Sequence, residues 1–323
     1  MQAQPIRLAV LGCSGDIDAY RQAVTRLRWG SVAVTVDTDR AVAQSMADAT
    51  GASVVLDSLD DVLTQHEAYD AIVVRTPLED RGATVCRLAE AGKHVLVDSP
   101  IAASATEAEE VVADAAKNKV SLMVGGTLRF LPGNQTILSR LAENKLGAPG
   151  LLRVHRWSSG GGLDDSLLEL TVGDIDLAIC IFDGLPTRVY AIQREPAYLQ
   201  IHFGFADGGM AVLDFARGLP EGQGYDSLHV IGSTGAAYAD DHHNTHLVFR
   251  GGEPRVRISG HGSFHVAREL QEFVDAIVDK RPTVVPGEGG CKALQVIEAV
   301  AESLKSGQPL HREDDSYEVS HEH

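Results

Sequence analysis

The chain has 323 residues and a formal net charge of −17, because 45 acidic residues outnumber 28 basic ones. A negative balance of this size argues against nucleic acids and anionic membrane surfaces as partners, since their phosphates would be repelled. The length exceeds what a single hydrophobic core usually spans, so we expect two domains.

The apolar residues and the cysteines indicate the compartment. No run of about 18 apolar residues predicts a membrane-spanning helix, and the first residues lack the basic-then-apolar pattern of a signal peptide. The four cysteines are far apart in the sequence and lack the spacing of metal ligands. We therefore expect a cytoplasmic protein that does not bind membranes.

The first predicted strand, residues 6–11, leads into a glycine-containing turn and then a helical pattern. This order is the context of the G-x-G-x-x-G fingerprint, whose glycines allow a dinucleotide pyrophosphate to approach the backbone. Gly12 takes the first glycine position and Gly15 lies within the motif. Ser14 and Ile17 replace the second and third glycines.

Acidic residues at the start of the following helix bear on the same motif. Asp16 and Asp18 lie in its first turn, where a carboxylate stabilises a free helix N-terminus but competes with a pyrophosphate for that positive end. Two interpretations stay open: a dinucleotide-binding turn, and a turn of similar shape that binds nothing.

Asp37 follows the second predicted strand, residues 32–36. An acidic residue at this position matches the carboxylate that binds the ribose in NAD sites, and it would repel the extra phosphate of NADP. The alternative is helix capping, for which Asp37, Thr38 or Asp39 is suitable.

Further short apolar strands alternate with helical patterns up to residue 124. They are predicted at residues 53–56, 71–75, 94–97 and 120–124. This alternation indicates a doubly wound parallel sheet, in which ligands bind outside the carboxyl ends of the strands. Thr76 and Pro77 follow one of these strands, and Asp98, Ser99 and Pro100 follow another, so we expect both groups to line a cleft.

The pattern changes after residue 125. An alternating strand at 151–157 and a helical pattern at 167–182 precede several strands of a mostly antiparallel sheet. The fold prediction is therefore α/β, with a Rossmann-like domain over residues 1–125 and an α/β domain with an open sheet over 126–323. We expect the polar residues after about Glu313 to be disordered.

The nine residues from Gly92 to Pro100, GKHVLVDSP, resemble the "AGKHVL-EKP" signature of the Gfo/Idh/MocA family of nicotinamide-dependent sugar and cyclitol dehydrogenases. Thr76-Pro77 and residues 289–307 also resemble segments of that family. The resemblance implies NAD as the cofactor, a sugar-like small molecule as the substrate, and a homo-oligomer formed through the second-domain sheet. The residues that it implies for cofactor binding are Gly12, Ser14, Gly15, Asp37, Thr76, Pro77, Asp98 and Pro100.

The resemblance also implies where catalysis would take place. The family carries a lysine after the fifth strand, and Ser99 stands at that position. The family's D-x-x-x-H-x-x-D helix corresponds here to Glu169, Gly173 and Asp176, which share one helix face. Both proton-donating positions are thus replaced, at Ser99 and at Gly173. His155 and Arg153 lie on the first strand of the second domain, whose sheet faces the substrate cleft in that family. Arg129 and Arg75 are further candidates for the cleft.

These observations leave more than one function open. The leading prediction is an NAD-dependent oxidoreductase of this family, acting on a sugar or polyol or derived from a protein that did. The runner-up is a catalytically silent protein of the same fold that retains the cleft and serves as a dinucleotide- or ligand-binding protein or a scaffold. A metal-dependent hydrolase built on the histidines of residues 240–246 ranks third, because a solvated loop explains that run better. We predict no metal site and weak, NAD-preferring nucleotide binding.

Overall fold

A computed structural model of the chain describes residues 4–15, 17–159, 167–194, 198–220, 224–240, 245–249, 255–258, 264–314 and 316–319. The chain forms two compact units. The first comprises Met1–Phe130 and Ser263–Cys291, and the second comprises Leu131–Gly262 and Lys292–His323. The first segment of the first unit thus ends close to the predicted boundary at residue 125, but a distant segment of the chain also belongs to this unit.

The first unit contains a parallel sheet with helices between the strands. In chain order its first elements are β1 (Ile6–Leu11), α1 (Ile17–Val24), β2 (Gly30–Val36), α2 (Arg40–Thr50), β3 (Val54–Leu56), α3 (Leu59–Thr64), β4 (Ala71–Val74), α4 (Leu78–Glu90), β5 (His94–Val97), α5 (Ala105–Lys117), β6 (Leu122–Val124) and α6 (Thr127–Phe130). The strand order is β3-β2-β1-β4-β5-β6, and the paired strands run parallel. The predicted doubly wound Rossmann-like sheet is confirmed.

The local sequence explains these elements. All four residues of β4 are buried, as expected for a central parallel strand covered on both faces. Helix α2 begins at the N-cap Asp39, and helix α5 at the N-cap Ser104. Gly92, just beyond α4, has φ of 72°, a conformation in which glycine is not strained by a Cβ atom.

The remaining elements are α7 (Pro132–Ala142), β7 (Pro149–Ser159), α8 (Leu167–Phe182), β8 (Arg188–Arg194), β9 (Tyr198–Gly204), β10 (Met210–Leu219), β11 (Tyr225–Gly232), β12 (Ala236–Asp240), β13 (Thr245–Phe249), β14 (Arg255–Ile258), α9 (Phe264–Asp279), α10 (Gly287–Ser306), β15 (Leu310–Glu313) and β16 (Ser316–Val319). Helix α9 belongs to the first unit and packs there against α1 and α6. The strands form the second unit's sheet, in the order β14-β13-β12-β11-β7-β10-β9-β8-β15-β16.

This second sheet is mostly antiparallel, as predicted, with one parallel pair formed by β7 and β10. The expectation of disorder after Glu313 is wrong for residues 316–319, which form β16. The strand is held because it pairs with β15, and the Tyr317 hydroxyl donates to the Pro186 carbonyl oxygen over 2.8 Å. Polar composition alone did not indicate these partners.

The two faces of this sheet differ in burial. One face carries apolar side chains that are inaccessible to solvent, such as those of Leu152, Ile201 and Leu213. Helix α8 packs on this face, where Arg156 of β7 pairs with Asp174 over 2.7 Å. Successive residues of a strand point to opposite faces, so the alternate residues form an open face.

Candidate functional site

The glycine turn after β1 lies against the end of β4. Gly12 has φ of 85°, and a Cβ atom at this residue would lie 2.4 Å from the carbonyl oxygen of Arg75. Gly15 also has a positive φ, of 103°. Only glycine fits the first position without moving β1 away from β4, so the turn needs Gly12 for both its conformation and its close packing.

The carboxylate of Asp37 joins the end of β2 to this turn. Its Oδ2 accepts the backbone N–H of Cys13 over 2.8 Å, and its Oδ1 accepts that of Asp39 over 2.9 Å. Asp39 in turn caps α2 by accepting the backbone N–H of Ala41. Of the residues considered as the cap, the structure therefore selects Asp39, which leaves Asp37 at the edge of the glycine turn.

The turns after β4 and β5 are joined by Arg81, a buried arginine of α4. Its Nη2 donates to the Thr76 carbonyl oxygen over 2.8 Å, and its Nη1 donates to the Pro100 carbonyl oxygen over 2.6 Å. The peptide bond between Ser99 and Pro100 is cis. Sequence reasoning did not find Arg81, although a basic residue on the buried face of a predicted helix was an available signal.

Arg75 crosses the space between these turns. Its Nε lies 3.5 Å from Oδ2 of Asp98, and its guanidinium lies 5.1 Å from the centre of the Tyr20 ring on α1. Burial by itself would lower the pKa of Arg75, but Tyr20 and Asp98 raise it by more, so the group stays cationic. Burial raises the pKa of Asp98, which the nearby Arg75 and Arg81 oppose.

Glu269 of α9 adds a second carboxyl group beside Asp98. Although the residue as a whole is only partly buried, its Oε1 atom is inaccessible to solvent. Burial, with a contribution from the negative charge of Asp98, raises the pKa of Glu269 to about 8. Sequence reasoning missed this residue, because α9 lies far along the chain and nothing local links it to β5.

Three buried side-chain atoms in the described part of the chain have no hydrogen-bond partner: Nη1 of Arg75, Oγ1 of Thr76 and Oε1 of Glu269. All three belong to the first unit. Arg75 and Thr76 follow β4 directly, and Glu269 interacts electrostatically with Arg75. Buried polar atoms are almost always paired in proteins, so a group of unpaired ones indicates a place for a polar ligand.

The structure brings the predicted residues of the first unit together at the carboxyl ends of β1, β2, β4 and β5. They are Gly12, Ser14, Gly15, Asp37, Thr76, Pro77, Asp98, Ser99 and Pro100. The strand order reverses between β1 and β4, the point at which open α/β sheets bind ligands. Arg129 lies in α6, where its Nη1 donates to the Val284 carbonyl oxygen over 3.2 Å.

The predicted residues of the second unit are distributed differently. Glu169, Gly173 and Asp176 lie on α8, where Glu169 is exposed and Asp176 is buried. His155 projects from the open face of the sheet, where its Nδ1 contacts the Ser227 hydroxyl over 2.9 Å. Helix α8 packs on the opposite face, so the structure does not bring His155 together with the residues of α8.

Other predicted features are outside the described residues or have no counterpart among them. Asp16 lies outside the described residues, and so do residues 241–244 between β12 and β13. Among the residues that the structure describes, no group of histidine, cysteine and carboxylate side chains is placed to hold a metal ion. No helix within the described ranges is long and apolar enough to cross a bilayer.

A parallel sheet of this order, with a glycine turn after β1 and an acidic residue after β2, defines the class of NAD-binding Rossmann proteins. Two sequence-family matches agree with this class. Residues 6–126 match "Oxidoreductase family, NAD-binding Rossmann fold", and residues 207–311 match "Oxidoreductase family, C-terminal alpha/beta domain". The chain belongs to the Gfo/Idh/MocA oxidoreductase family.

Individual relatives are similar over most of their length. The uncharacterized oxidoreductase YrbE of Bacillus subtilis is 25% identical, over 93% of this chain and 95% of its own. The myo-inositol 2-dehydrogenase of Thermotoga maritima is 24% identical, over 78% of this chain and 82% of its own. A solved oxidoreductase from Agrobacterium radiobacter, in complex with NAD+, L-tartaric acid and magnesium, shares the fold with a TM-score of 0.84 and 16% identity, over 95% and 98% of the chains.

Proposed function

We propose that this protein binds NAD and acts on a sugar or polyol, or derives from an oxidoreductase that did. The observation that carries the proposal is the hydrogen bond from Cys13 to Asp37, which holds a carboxylate beside the glycine turn as ribose binding requires. The cationic, partly exposed guanidinium of Arg75 also suits a ligand rich in acceptor oxygens. When bound, NAD would accept a hydride from the substrate.

The remaining residues of the first unit extend this site. In the proposal, Gly12, Ser14 and Gly15 contact the cofactor at the turn. Thr76 and Pro77 lie below its nicotinamide half, with Asp98 and Pro100 in the turn after β5. The relative from Thermotoga maritima acts on myo-inositol by its name, which supports a polyol as the class of substrate.

Two positions of this chain differ from the catalytic pattern of the family. Ser99 offers a neutral hydroxyl where the family has a lysine, and Gly173 has no side chain where the family has a histidine. A missing general acid or base costs about 10²–10⁴-fold in rate, and two are missing here. Glu169 and Asp176 remain from the family helix. We therefore infer that hydride transfer on ordinary family substrates is absent or very slow.

A spectrophotometric panel of inositols and aldoses with NAD tests this inference. We expect no reduction of NAD above a rate about 10²-fold below that of an ordinary family enzyme measured in parallel. Turnover at an ordinary rate on any member of the panel would show that other groups perform the proton transfer. The double variant Ser99→Lys with Gly173→His restores both family residues. We expect it to reduce NAD faster than either single variant does.

The alternative is a catalytically silent binding or scaffold protein. A scaffold needs no dinucleotide, so calorimetric titration with NAD and NADP separates it from the oxidoreductase, and mass spectrometry of the purified protein can detect a retained dinucleotide. A silent protein that binds NAD differs from the oxidoreductase only in the activity panel. If neither nucleotide binds at millimolar concentration, the scaffold becomes the better explanation.

We also propose that the protein is a cytoplasmic homo-oligomer that associates through the open face of the second sheet. That face carries exposed apolar side chains, including Ile192, Tyr198, Met210 and Ile231, and exposed patches of this kind mark interaction surfaces. Trp157, Ile192 and Tyr198 also line a groove of about 540 Å³ on it. Light scattering after size exclusion tests the proposal, with the variant Ile192→Glu expected to be monomeric. A monomeric wild type would contradict it.

A further inference from the structure

Three neighbouring groups hold the Arg75 side chain in place, but its guanidinium does not use all of its hydrogen-bond donors. Nε faces Asp98 at 3.5 Å, the guanidinium lies over the Tyr20 ring, and Nη2 lies 2.9 Å from where a Cβ atom of Gly15 would be. The side chain is 20% exposed, but its Nη1 is inaccessible and has no partner. The guanidinium thus packs against the glycine turn with a free donor.

The Asp98 contact does not account for this arrangement. A separation of 3.5 Å is long for a charge-assisted hydrogen bond, and it involves Nε rather than the fork of terminal nitrogens. Arg81 shows the contrast, because both of its terminal nitrogens donate to backbone carbonyl oxygens. Arg81 is therefore structural, whereas the Arg75 side chain stays 20% exposed, and the accessible part of its guanidinium can meet an acceptor from outside the chain.

Its position indicates the chemistry of that acceptor. In sheets of this order a diphosphate lies over the glycine turn and the N-terminus of the following helix. Here that turn has Ser14 and Ile17 where the fingerprint has glycines, so a diphosphate can approach its backbone less closely. A planar guanidinium binds two phosphate oxygens at once and supplies a permanent positive charge.

We propose that Arg75 binds the diphosphate of the dinucleotide and compensates for the altered glycine turn. This inference rests on the proposed function, since the dinucleotide is the ligand assigned there. Asp98 and the Tyr20 ring hold the guanidinium over Gly15 before the ligand arrives. Arg75 is then a cofactor-binding residue supplied by β4 instead of by the turn after β1.

Calorimetric titration of the full chain with NAD, ADP and adenosine tests the proposal. The variant Arg75→Met removes the charge at similar length, and Arg75→Lys keeps the charge without the fork. We expect Arg75→Met to weaken NAD and ADP binding by about 10- to 100-fold, and Arg75→Lys to weaken it less. Adenosine, which has no phosphate, should bind all three proteins alike. Arg87→Met, which removes an exposed arginine of α4, is the matched control and should change none of these affinities.

The outcomes separate this inference from the proposed function. If the wild type binds NAD and Arg75→Met binds NAD and ADP as tightly or more tightly, the inference is wrong and the proposed function stands. If the wild type binds ADP in an Arg75-dependent way but does not bind NAD, the diphosphate site stands and the proposed function is wrong. If the wild type binds neither nucleotide, both are wrong. An equal loss of adenosine affinity in Arg75→Met would indicate a structural role and would also overturn the inference.

Discussion

Arg81 donates from Nη1 to the carbonyl oxygen of Pro100 over 2.6 Å, linking helix α4 to the turn that follows β5. The same side chain donates twice to the carbonyl oxygen of Thr76, in the turn that follows β4. These two turns carry the residues assigned to the nicotinamide half of the cofactor. One buried guanidinium therefore sets the distance between two parts of the proposed site.

Removing this link should destabilise the first unit. We expect Arg81→Met to lower the free energy of unfolding by about 2–4 kcal/mol, because buried carbonyl oxygens lose their donors. Urea unfolding followed by Trp29 fluorescence in a Trp157→Phe background reports on this unit. Arg87→Met breaks an exposed ion pair with Asp60 and should cost less than about 1 kcal/mol. Equal effects of the two changes would contradict the role of Arg81.

Gly12 and Gly51 form a second matched pair. Both have a positive φ, but a Cβ atom would meet the Arg75 backbone at Gly12 and nothing within 4 Å at Gly51. We expect Gly51→Ala to cost about 1–2 kcal/mol from backbone strain alone. Gly12→Ala should cost about 1–3 kcal/mol more, because β1 and β4 must move apart. The same urea assay measures both, and similar losses would show that the close approach to Arg75 is tolerated.

Asp37 should determine which nicotinamide cofactor binds. Its carboxylate beside the glycine turn would repel the 2′-phosphate of NADP, so we expect NAD to bind at least about tenfold more tightly than NADP. Asp37→Ser should reduce this preference by weakening NAD and strengthening NADP. Asp48→Asn, a charge change in the last turn of α2, is the control and should leave the preference unaltered. Tighter binding of NADP than of NAD by the wild type would refute this role.

Glu269 should make the stability of the first unit depend on pH. Its pKa is raised by burial from 4.5 to about 8, so the folded state binds the proton more tightly than the unfolded state. The resulting stabilisation is complete below pH 4.5 and is lost as the pH rises through 8. This loss in the free energy of unfolding amounts to a few kcal/mol at most. Burial also raises the pKa of Asp98. Asp98 therefore adds a further loss of stability with rising pH, and this loss begins at a lower pH.

The variant Glu269→Gln isolates this contribution. We expect it to lose less stability than the wild type between pH 5 and pH 9, measured by urea unfolding in the same tryptophan background, because it keeps a polar group of the same size without a titrating proton. Glu288→Gln, at the start of α10, should keep the wild-type dependence. An unchanged pH profile in Glu269→Gln would show that the carboxyl group is ionised in the folded state.

Much of the first unit follows from local sequence. Buried parallel strands need continuous apolar runs, so the pattern predicts β1, β4 and β5 closely. The short strands β12, β14, β15 and β16 were not predicted, because their stability depends on partners that are distant in the sequence or on pairing that composition does not show. The same reason explains why the expectation of disorder after Glu313 was wrong.

The sequence by itself determined the doubly wound sheet, the glycine turn, Asp37 after β2, and the polar turns after β4 and β5. These features are encoded by neighbouring residues, through periodicity, chirality and the direction of parallel strands. Only the tertiary structure decided which side chains fill the space between the turns. Arg75 turns toward Gly15 rather than away from it, Arg81 bridges two turns, and Glu269 enters from a segment far along the chain. Long-range packing selects such positions because a buried charge must find its partners wherever the fold places them.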